Sequence, residues 1–174
     1  EAIAQVDTII CLDFNALHRT DNLCSHLESS NAYKILIDHH LFPDLGSFDI
    51  AFSEPEISSA SELLYHILMS MPQIAQDAAK LPAAAATSLM TGMTTDTNNF
   101  ANSVYPSTLT MASTLLAAGV DRDYILHCLY NQYGENRLRL MGHMMKDLLK
   151  ITEDGAAYII LDLKTQREYR IQDG

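Results

Sequence analysis

Three short apolar runs near the start of the chain predict β-strands. They cover residues 6–12, 33–37 and 48–52, and the first of them is rich in β-branched residues. Their apolar positions are continuous, which predicts strands buried on both faces. Asp21 is placed to cap a helix through about residue 29, between the first two runs. Because strands joined by a helical connection pair in parallel with a right-handed crossover, the pattern predicts an α/β fold, a parallel sheet flanked by helices.

From residue 58 onward the spacing of apolar residues becomes helical. Ser58 or Ser59 can cap the first helix, and Glu62 is placed for a capping box. Five helices are predicted over residues 59–71, 83–93, 107–118, 121–131 and 135–150, followed by a strand over 156–161. The last predicted helix is interpreted as a long linker. The expected organisation is therefore a first domain over 1–133, a linker helix over 134–150 and the start of a second domain over 151–174.

Composition limits the kinds of partner that the chain is expected to bind. The chain has 174 residues, 48% of them hydrophobic, and a formal net charge of −11. That charge argues against long duplex nucleic acid, whose binding needs many Lys and Arg contacts, and it suits cation binding as well as simple solubility. Three cysteines without a CxxC spacing suggest a reducing, cytoplasmic compartment. The longest apolar stretch, residues 81–93, is too short to span a membrane.

Polar residues follow the predicted strands where metal chemistry is expected. Asp13 ends the first strand, and Asp38-His39-His40 ends the second. Ligand sites in parallel α/β sheets lie at the carboxyl ends of strands, so these side chains can converge. Asp96 is expected in a polar loop after the helix over 83–93. Mixed carboxylate and imidazole ligands suit Mn²⁺, with Mg²⁺ as an alternative and zinc disfavoured by the absence of a nearby thiolate.

Each of these residues also has an ordinary structural explanation. Asp13 can be a turn residue, the adjacent histidines can lie on the surface, and Asp96 can form an Asx-turn. Asn98 and Asn99 can cap the loop or touch substrate. Arg19, six residues past Asp13, is a candidate bidentate clamp for a phosphate.

Three motifs in order resemble the DHH phosphoesterase superfamily. They are Ile37-Asp38-His39-His40, Ser58-Ser59-Ala60-Ser61-Glu62-Leu63 and Thr91-Gly92-Met93-Thr94-Thr95-Asp96-Thr97. Within the superfamily, the chain looks like the nanoRNase and 3'-phosphoadenosine 5'-phosphate (pAp) phosphatase-like members, over roughly residues 6–150. The resemblance implies a phosphodiesterase or phosphatase with two Mn²⁺ ions, acting on short oligonucleotides or small nucleotides. No membrane partner is expected, and a homodimer is left open.

The resemblance also implies a role for each site residue. Asp13 would bridge both metals, His39 would bind one, and Asp96 would complete the shell. His40 would face the substrate phosphate as a catalytic and substrate-binding residue. Asp38 would support catalysis by orienting the neighbouring histidines.

The chain departs from the family pattern at both ends. The family's N-terminal His-x-x-Pro-Asp-x-Asp motif and its C-terminal domain with a Gly-Gly-His motif have no counterpart here. We therefore expect a fragment with an incomplete DHH domain. A non-catalytic remnant or interaction module is the alternative of a different class. A RecJ-type single-strand exonuclease and a family II-like pyrophosphatase are the alternatives among enzymes.

Overall fold

The computed structural model describes residues 2–171 and divides the chain into two compact units, Glu1–Ile125 and Leu126–Gly174. The first unit contains the sheet and most of the helices. The second contains a short hairpin with its own helices. The predicted division of the chain at residues 133 and 150 stays a prediction.

The first unit is built on a three-stranded parallel sheet in the order β1-β2-β3. The strands are β1 (Thr8–Leu12), β2 (Tyr33–Asp38) and β3 (Ile50–Ser53). In the register, Leu12 lies opposite Ile37, so β1 and β2 end at the same edge of the sheet. The predicted parallel α/β fold is confirmed, with each strand within two residues of its predicted start.

One face of the sheet carries a small core. Cys11 and Leu36 pack there with Leu17 and Leu27 from the β1–β2 connection. The prediction that all strands are buried on both faces is wrong for the outer strands. Ile10 of β1, for example, is 59% exposed. An apolar run raises the chance of burial, but an edge strand is covered only where another element packs against it.

The connection between β1 and β2 differs from the single predicted helix. A 3₁₀ helix over Leu17–Leu23 leads into α1 (Cys24–Glu28). Asp21 has φ 45° and ψ −115°, so it interrupts the helical backbone and does not cap it. Further 3₁₀ turns cover Ala2–Ala4, Leu45–Ser47 and Ala78–Lys80.

Helices α2 (Ala60–Ser70), α3 (Ala83–Asp96) and α4 (Pro106–Ala117) follow the sheet, and α5 (Arg122–Tyr130) begins in the first unit. Ser59 caps α2 as predicted, because its Oγ accepts a hydrogen bond of 3.0 Å from the backbone N–H of Glu62. Helix α3 packs against both α2 and α4. It extends three residues beyond its predicted end, which matters for the site described below.

In the second unit, α6 (Glu135–His143) is followed by a π-helical turn over Met144–Leu148. The predicted single helix to residue 150 is therefore wrong at its C-terminal end. Strands β4 (Lys150–Ile151) and β5 (Ala157–Tyr158) pair antiparallel, and α7 (Leu163–Glu168) was not predicted. Among residues 2–171, no helix combines the length and apolar character needed to cross a membrane.

Candidate metal centre at the carboxyl edge of the sheet

The residues that follow β1 and β2 lie side by side at the sheet edge. Asp13 extends the β1–β2 ladder by donating its N–H to the carbonyl of Ile37 at 3.1 Å. Its φ of 65° places it in the left-handed region. A non-glycine residue there is uncommon, and such strain is concentrated at functional sites. The strained backbone holds a half-exposed carboxylate beside the histidines that follow β2.

His39 is the centre of the cluster. Its Nε2 lies 3.5 Å from Oδ1 of Asp13 and 3.7 Å from Oδ2 of Asp96. The ring of His40 meets the ring of His39 edge-on, with centroids 4.9 Å apart. Asp13, His39 and His40 each offer one ligand atom, and these atoms all lie within 4.8 Å of one another. One cation can therefore contact several of these groups at once.

The carboxylate of Asp38 contacts both the ring and the backbone of His40. The Asp38 side chain is completely buried, and its Oδ1 lies 2.7 Å from Nδ1 of His40. Its second oxygen, Oδ2, accepts the backbone N–H of His40 at 3.1 Å. Both carboxylate oxygens are therefore committed to His40, and in this structure their contacts orient that histidine alone.

Asp96 reaches the cluster from a helix, where the sequence had suggested a loop. It is the last residue of α3, so the prediction of a loop position is wrong. The polar run Thr94–Asn99 resembles a loop in composition, but its first three residues belong to α3, and the hydroxyls of Thr95 and Thr97 bond to carbonyls one turn earlier. Burial, and then the negative charge of Asp13, raise the pKa of Asp96, while His39 and His40 act in the opposite direction.

A cavity of about 120 Å³ adjoins the two carboxylates. It lies between the end of β1, the N-terminus of α2 and the last turns of α3. Its lining consists of Leu12, Asp13, Ala60, Ser61, Leu64, Gly92, Thr95 and Asp96. Sequence reasoning missed Ser61 and Gly92 as individual site residues, although both fall inside the motifs that carried the resemblance.

The donor set fits a divalent cation. It combines carboxylate and imidazole groups, and such a mixed set suits Mn²⁺ better than it suits Ca²⁺, which takes oxygen ligands. Burial is the first cause of the raised pKa of Asp96 and the charge of Asp13 the second, and a bound cation would oppose both effects. The identity of the metal stays a prediction.

Comparison with known proteins identifies the family of the chain. The model of the DHH family, N-terminal domain, matches residues 2–93. The chain belongs to the DHH family. A crystal structure of an exopolyphosphatase-related protein from Bacteroides fragilis is also similar, with 37% sequence identity and a TM-score of 0.88. That match covers 99% of this chain and 49% of the other, so the chain spans about half the length of its relative. No curated protein matches.

The first unit contains a second buried carboxylate besides Asp38. Glu62 on α2 is completely buried, and its Oε2 accepts hydrogen bonds from the N–H and the hydroxyl of Ser58 and from the hydroxyl of Thr108 on α4. Burial by itself raises the pKa of Glu62, but hydrogen bonds from Ser107, Ser58 and Thr108 outweigh it and lower the pKa. Glu62 thus ties the segment before α2 to α4.

A strained turn follows Asp96 directly. Asn98, Asn99 and Phe100 have φ of 45°, 57° and 66°, three consecutive left-handed residues. Asn99 accepts a hydrogen bond from the guanidinium of Arg122, which also lies over the Phe100 ring at 5.4 Å. Neither asparagine is the cap of α3, since Thr97 occupies that position. Their contact with substrate stays a prediction.

Arg19 makes no contact with the cluster of aspartates and histidines at the sheet edge. It lies exposed on the 3₁₀ helix after β1, and within residues 2–171 its side chain makes no hydrogen bond or ion pair. The structure therefore brings Asp13, Asp38, His39, His40 and Asp96 together, with Arg19 outside the group. The assignment to the nanoRNase and pAp phosphatase-like subgroup also stays a prediction.

Proposed function

We propose that this chain carries the catalytic centre of a Mn²⁺-dependent phosphoesterase that acts on short oligonucleotides or small nucleotides such as pAp. The observation that carries the proposal is the convergence of Asp13, His39 and Asp96, with His39 within 3.7 Å of both carboxylates. Asp13 and His39 directly follow two neighbouring strands, and Asp96 is the last residue of α3.

In this proposal, Asp13, His39 and Asp96 hold the metal. Bound Mn²⁺ ions supply an activated water and neutralise charge on the phosphate oxygens. The carboxylate of Asp38 accepts a hydrogen bond from Nδ1–H of His40, so the doubly protonated ring can donate Nε2–H to an oxygen of the substrate phosphate. His40 thus positions the phosphate while the carboxylates hold the cations.

Charge supports short substrates over long ones. The chain has 22 acidic and 11 basic residues, so it offers little compensation for a long phosphate backbone. A dinucleotide or a bis-phosphorylated nucleoside places only a few charges near the site. Mn²⁺ held by Asp13, His39 and Asp96 would compensate those charges locally.

Titration calorimetry with Mn²⁺ on the 174-residue chain is the first test. Asp13→Asn and His39→Asn are expected to lower affinity by about tenfold or more, because the first replaces a carboxylate by a neutral amide and the second removes the imidazole. Asp123→Asn, an exposed carboxylate on α5, is the matched control and is expected to bind like the parent. Equal affinities for all four proteins would contradict a metal centre at this place.

Hydrolysis assays then separate the substrates. With Mn²⁺ at saturation, we expect release of phosphate from pAp or cleavage of a dinucleotide, and loss of that activity in Asp13→Asn. Weak Mn²⁺ binding with no turnover of any substrate would instead favour the non-catalytic interaction module.

Inorganic polyphosphate is a second candidate substrate. It is suggested by the similarity to the exopolyphosphatase-related protein of Bacteroides fragilis. A direct comparison of polyphosphate with pAp under the same conditions decides between them. Preference for polyphosphate, with no cleavage of nucleotides, would replace the nucleotide proposal while leaving the metal centre in place.

A further inference from the structure

Helices α2 and α3 meet with Gly92 packed directly against Ser61. A Cβ atom placed on Gly92 would overlap Oγ of Ser61 and would lie 3.1 Å from its Cβ. Carbon atoms in favourable contact are about 3.5–4.0 Å apart. Rotation of the Ser61 hydroxyl can relieve the first contact but not the second, because Cβ is fixed to the backbone. A larger residue at position 92 therefore requires one helix to move.

The same face of α3 carries a proposed metal ligand. Asp96 lies four residues after Gly92, and residues at this spacing share one face of a helix, one turn apart. Ser61, Gly92 and Asp96 all line the cavity beside Asp13. The approach of α3 to α2 at Gly92 thus occurs one turn from the carboxylate that faces His39.

We propose that Gly92 is a positioning residue of the metal centre. Its missing side chain lets α3 approach α2, and this approach sets the distance of Asp96 from His39. Ser61 is the partner that defines how close the helices come. The inference rests on the proposed metal-dependent function, and Gly92 acts in it through the position of Asp96.

The size of the expected effect follows from the contact. An alanine at position 92 has to move α3 by about 0.5 Å to restore ordinary carbon–carbon separation. Metal–ligand distances are held within about 0.2 Å. A shift of this size one turn from Asp96 is therefore enough to weaken its coordination.

Gly92→Ala is the primary variant, measured by Mn²⁺ affinity in the 174-residue chain. We expect affinity to fall about tenfold, the range seen when residues supporting a metal ligand are replaced. Gly92→Val is expected to fall further, because it adds a branched side chain at the same contact. Gly142→Ala is the matched control, since Gly142 also lies in a helix but has no atom near its Cβ position. The control is expected to keep the parent's affinity.

Rescue by the partner residue separates positioning from general destabilisation. Ser61→Gly removes both atoms that meet the new Cβ, so Gly92→Ala/Ser61→Gly is expected to recover the parent's affinity. Ser61→Ala leaves the Cβ contact of 3.1 Å, so its rescue is expected to be partial. Failure of Ser61→Gly to restore affinity, or an equal loss in Gly142→Ala, would overturn the proposal.

A crystal structure of Gly92→Ala gives an answer that does not depend on metal binding. The separation of Asp96 Oδ2 from His39 Nε2, 3.7 Å here, is expected to increase. If the parent itself does not bind Mn²⁺, the proposed function fails, and this distance alone decides on Gly92. An unchanged distance would overturn the positioning role.

Discussion

Nδ1 of His40 lies 2.7 Å from Oδ1 of Asp38, a carboxylate that is completely buried at the end of β2. The same carboxylate accepts the backbone N–H of His40 through its other oxygen, at 3.1 Å. The Asp38 side chain therefore fixes both the backbone and the ring of His40. An ionised carboxylate favours a proton on Nδ1 of His40. Nε2 makes no contact with Asp38 and is therefore the nitrogen that can face a substrate.

Asp38→Asn is expected to loosen His40 without removing a metal ligand. The amide offers one acceptor oxygen in place of two, so it cannot accept both hydrogen bonds. We expect turnover of pAp to fall about 10- to 100-fold, the usual effect of replacing a residue that orients a functional histidine. Nitrogen NMR of His40 is the direct measurement, and it should show a single Nδ1-protonated form in the parent at alkaline pH and a mixture in the variant.

Asp123→Asn serves as the control for Asp38→Asn, because Asp123 is exposed on α5. It should leave both turnover and the His40 spectrum unchanged. Identical His40 spectra in the parent and in Asp38→Asn would contradict the orienting role, whatever the activity of the two proteins.

Glu62 makes stability depend on pH. Its folded-state pKa lies below the ordinary value of 4.5, because the hydrogen bonds from Ser107, Ser58 and Thr108 outweigh the effect of burial. The stability that the ionised group contributes is therefore present above pH 4.5 and is lost as pH falls through the folded-state pKa. Glu62→Gln is expected to lower the free energy of unfolding by about 2 kcal/mol at pH 7.

The difference between the parent and Glu62→Gln should shrink as pH falls below about 4.5, where the carboxylate becomes protonated in the unfolded chain first. Urea unfolding between pH 3 and pH 8 measures it. Glu56→Gln is the control, an exposed glutamate in the segment that precedes α2. A difference that grows toward acid pH would show that the sign is wrong.

The sequence was sufficient to predict that Asp13 and His39 meet. Both residues directly follow apolar strands, and parallel strands bring their carboxyl ends to one edge. This inference needs only local patterns and one general rule of topology. In the structure, Nε2 of His39 lies 3.5 Å from Oδ1 of Asp13.

The position of Asp96, the site residue that comes from a helix, could be predicted less well from the sequence. Helix α3 continues through a run of threonines to Asp96, and it packs against α2 where Gly92 meets Ser61, one turn earlier. Periodicity describes which face of a helix is apolar, but not how closely two helices approach. For the same reason, the apolar character of Ile10 did not reveal that its side of β1 is left exposed. These features are set by tertiary packing.

Asn98 tests the strained turn after Asp96. Its φ of 45° is tolerated by asparagine and glycine but disfavoured for residues with an ordinary Cβ. Asn98→Ala is expected to destabilise the chain by about 1 kcal/mol, and Asn98→Gly by less than about 0.5 kcal/mol. Thermal unfolding measures both. Asn102→Ala is the control, since Asn102 is exposed and has no positive φ. Equal losses in Asn98→Ala and Asn98→Gly would mean that the amide side chain, and not the backbone, matters there.

Arg19 provides the final test, because it is the predicted site residue that the structure leaves outside the metal cluster. Its exposed guanidinium has no ion-pair partner within residues 2–171, so it is available to a phosphate of the substrate. Arg19→Ala is expected to raise KM for pAp about tenfold with little change in kcat or in Mn²⁺ affinity, since the loss of one charge-assisted contact weakens binding alone. Arg19→Lys should recover only part of this, because lysine cannot make the bidentate contact. Arg170→Ala removes an arginine of the second unit and serves as the control. An unchanged KM in Arg19→Ala would exclude the clamp, whereas a fall in Mn²⁺ affinity would show that Arg19 acts on the metal centre and not on the substrate.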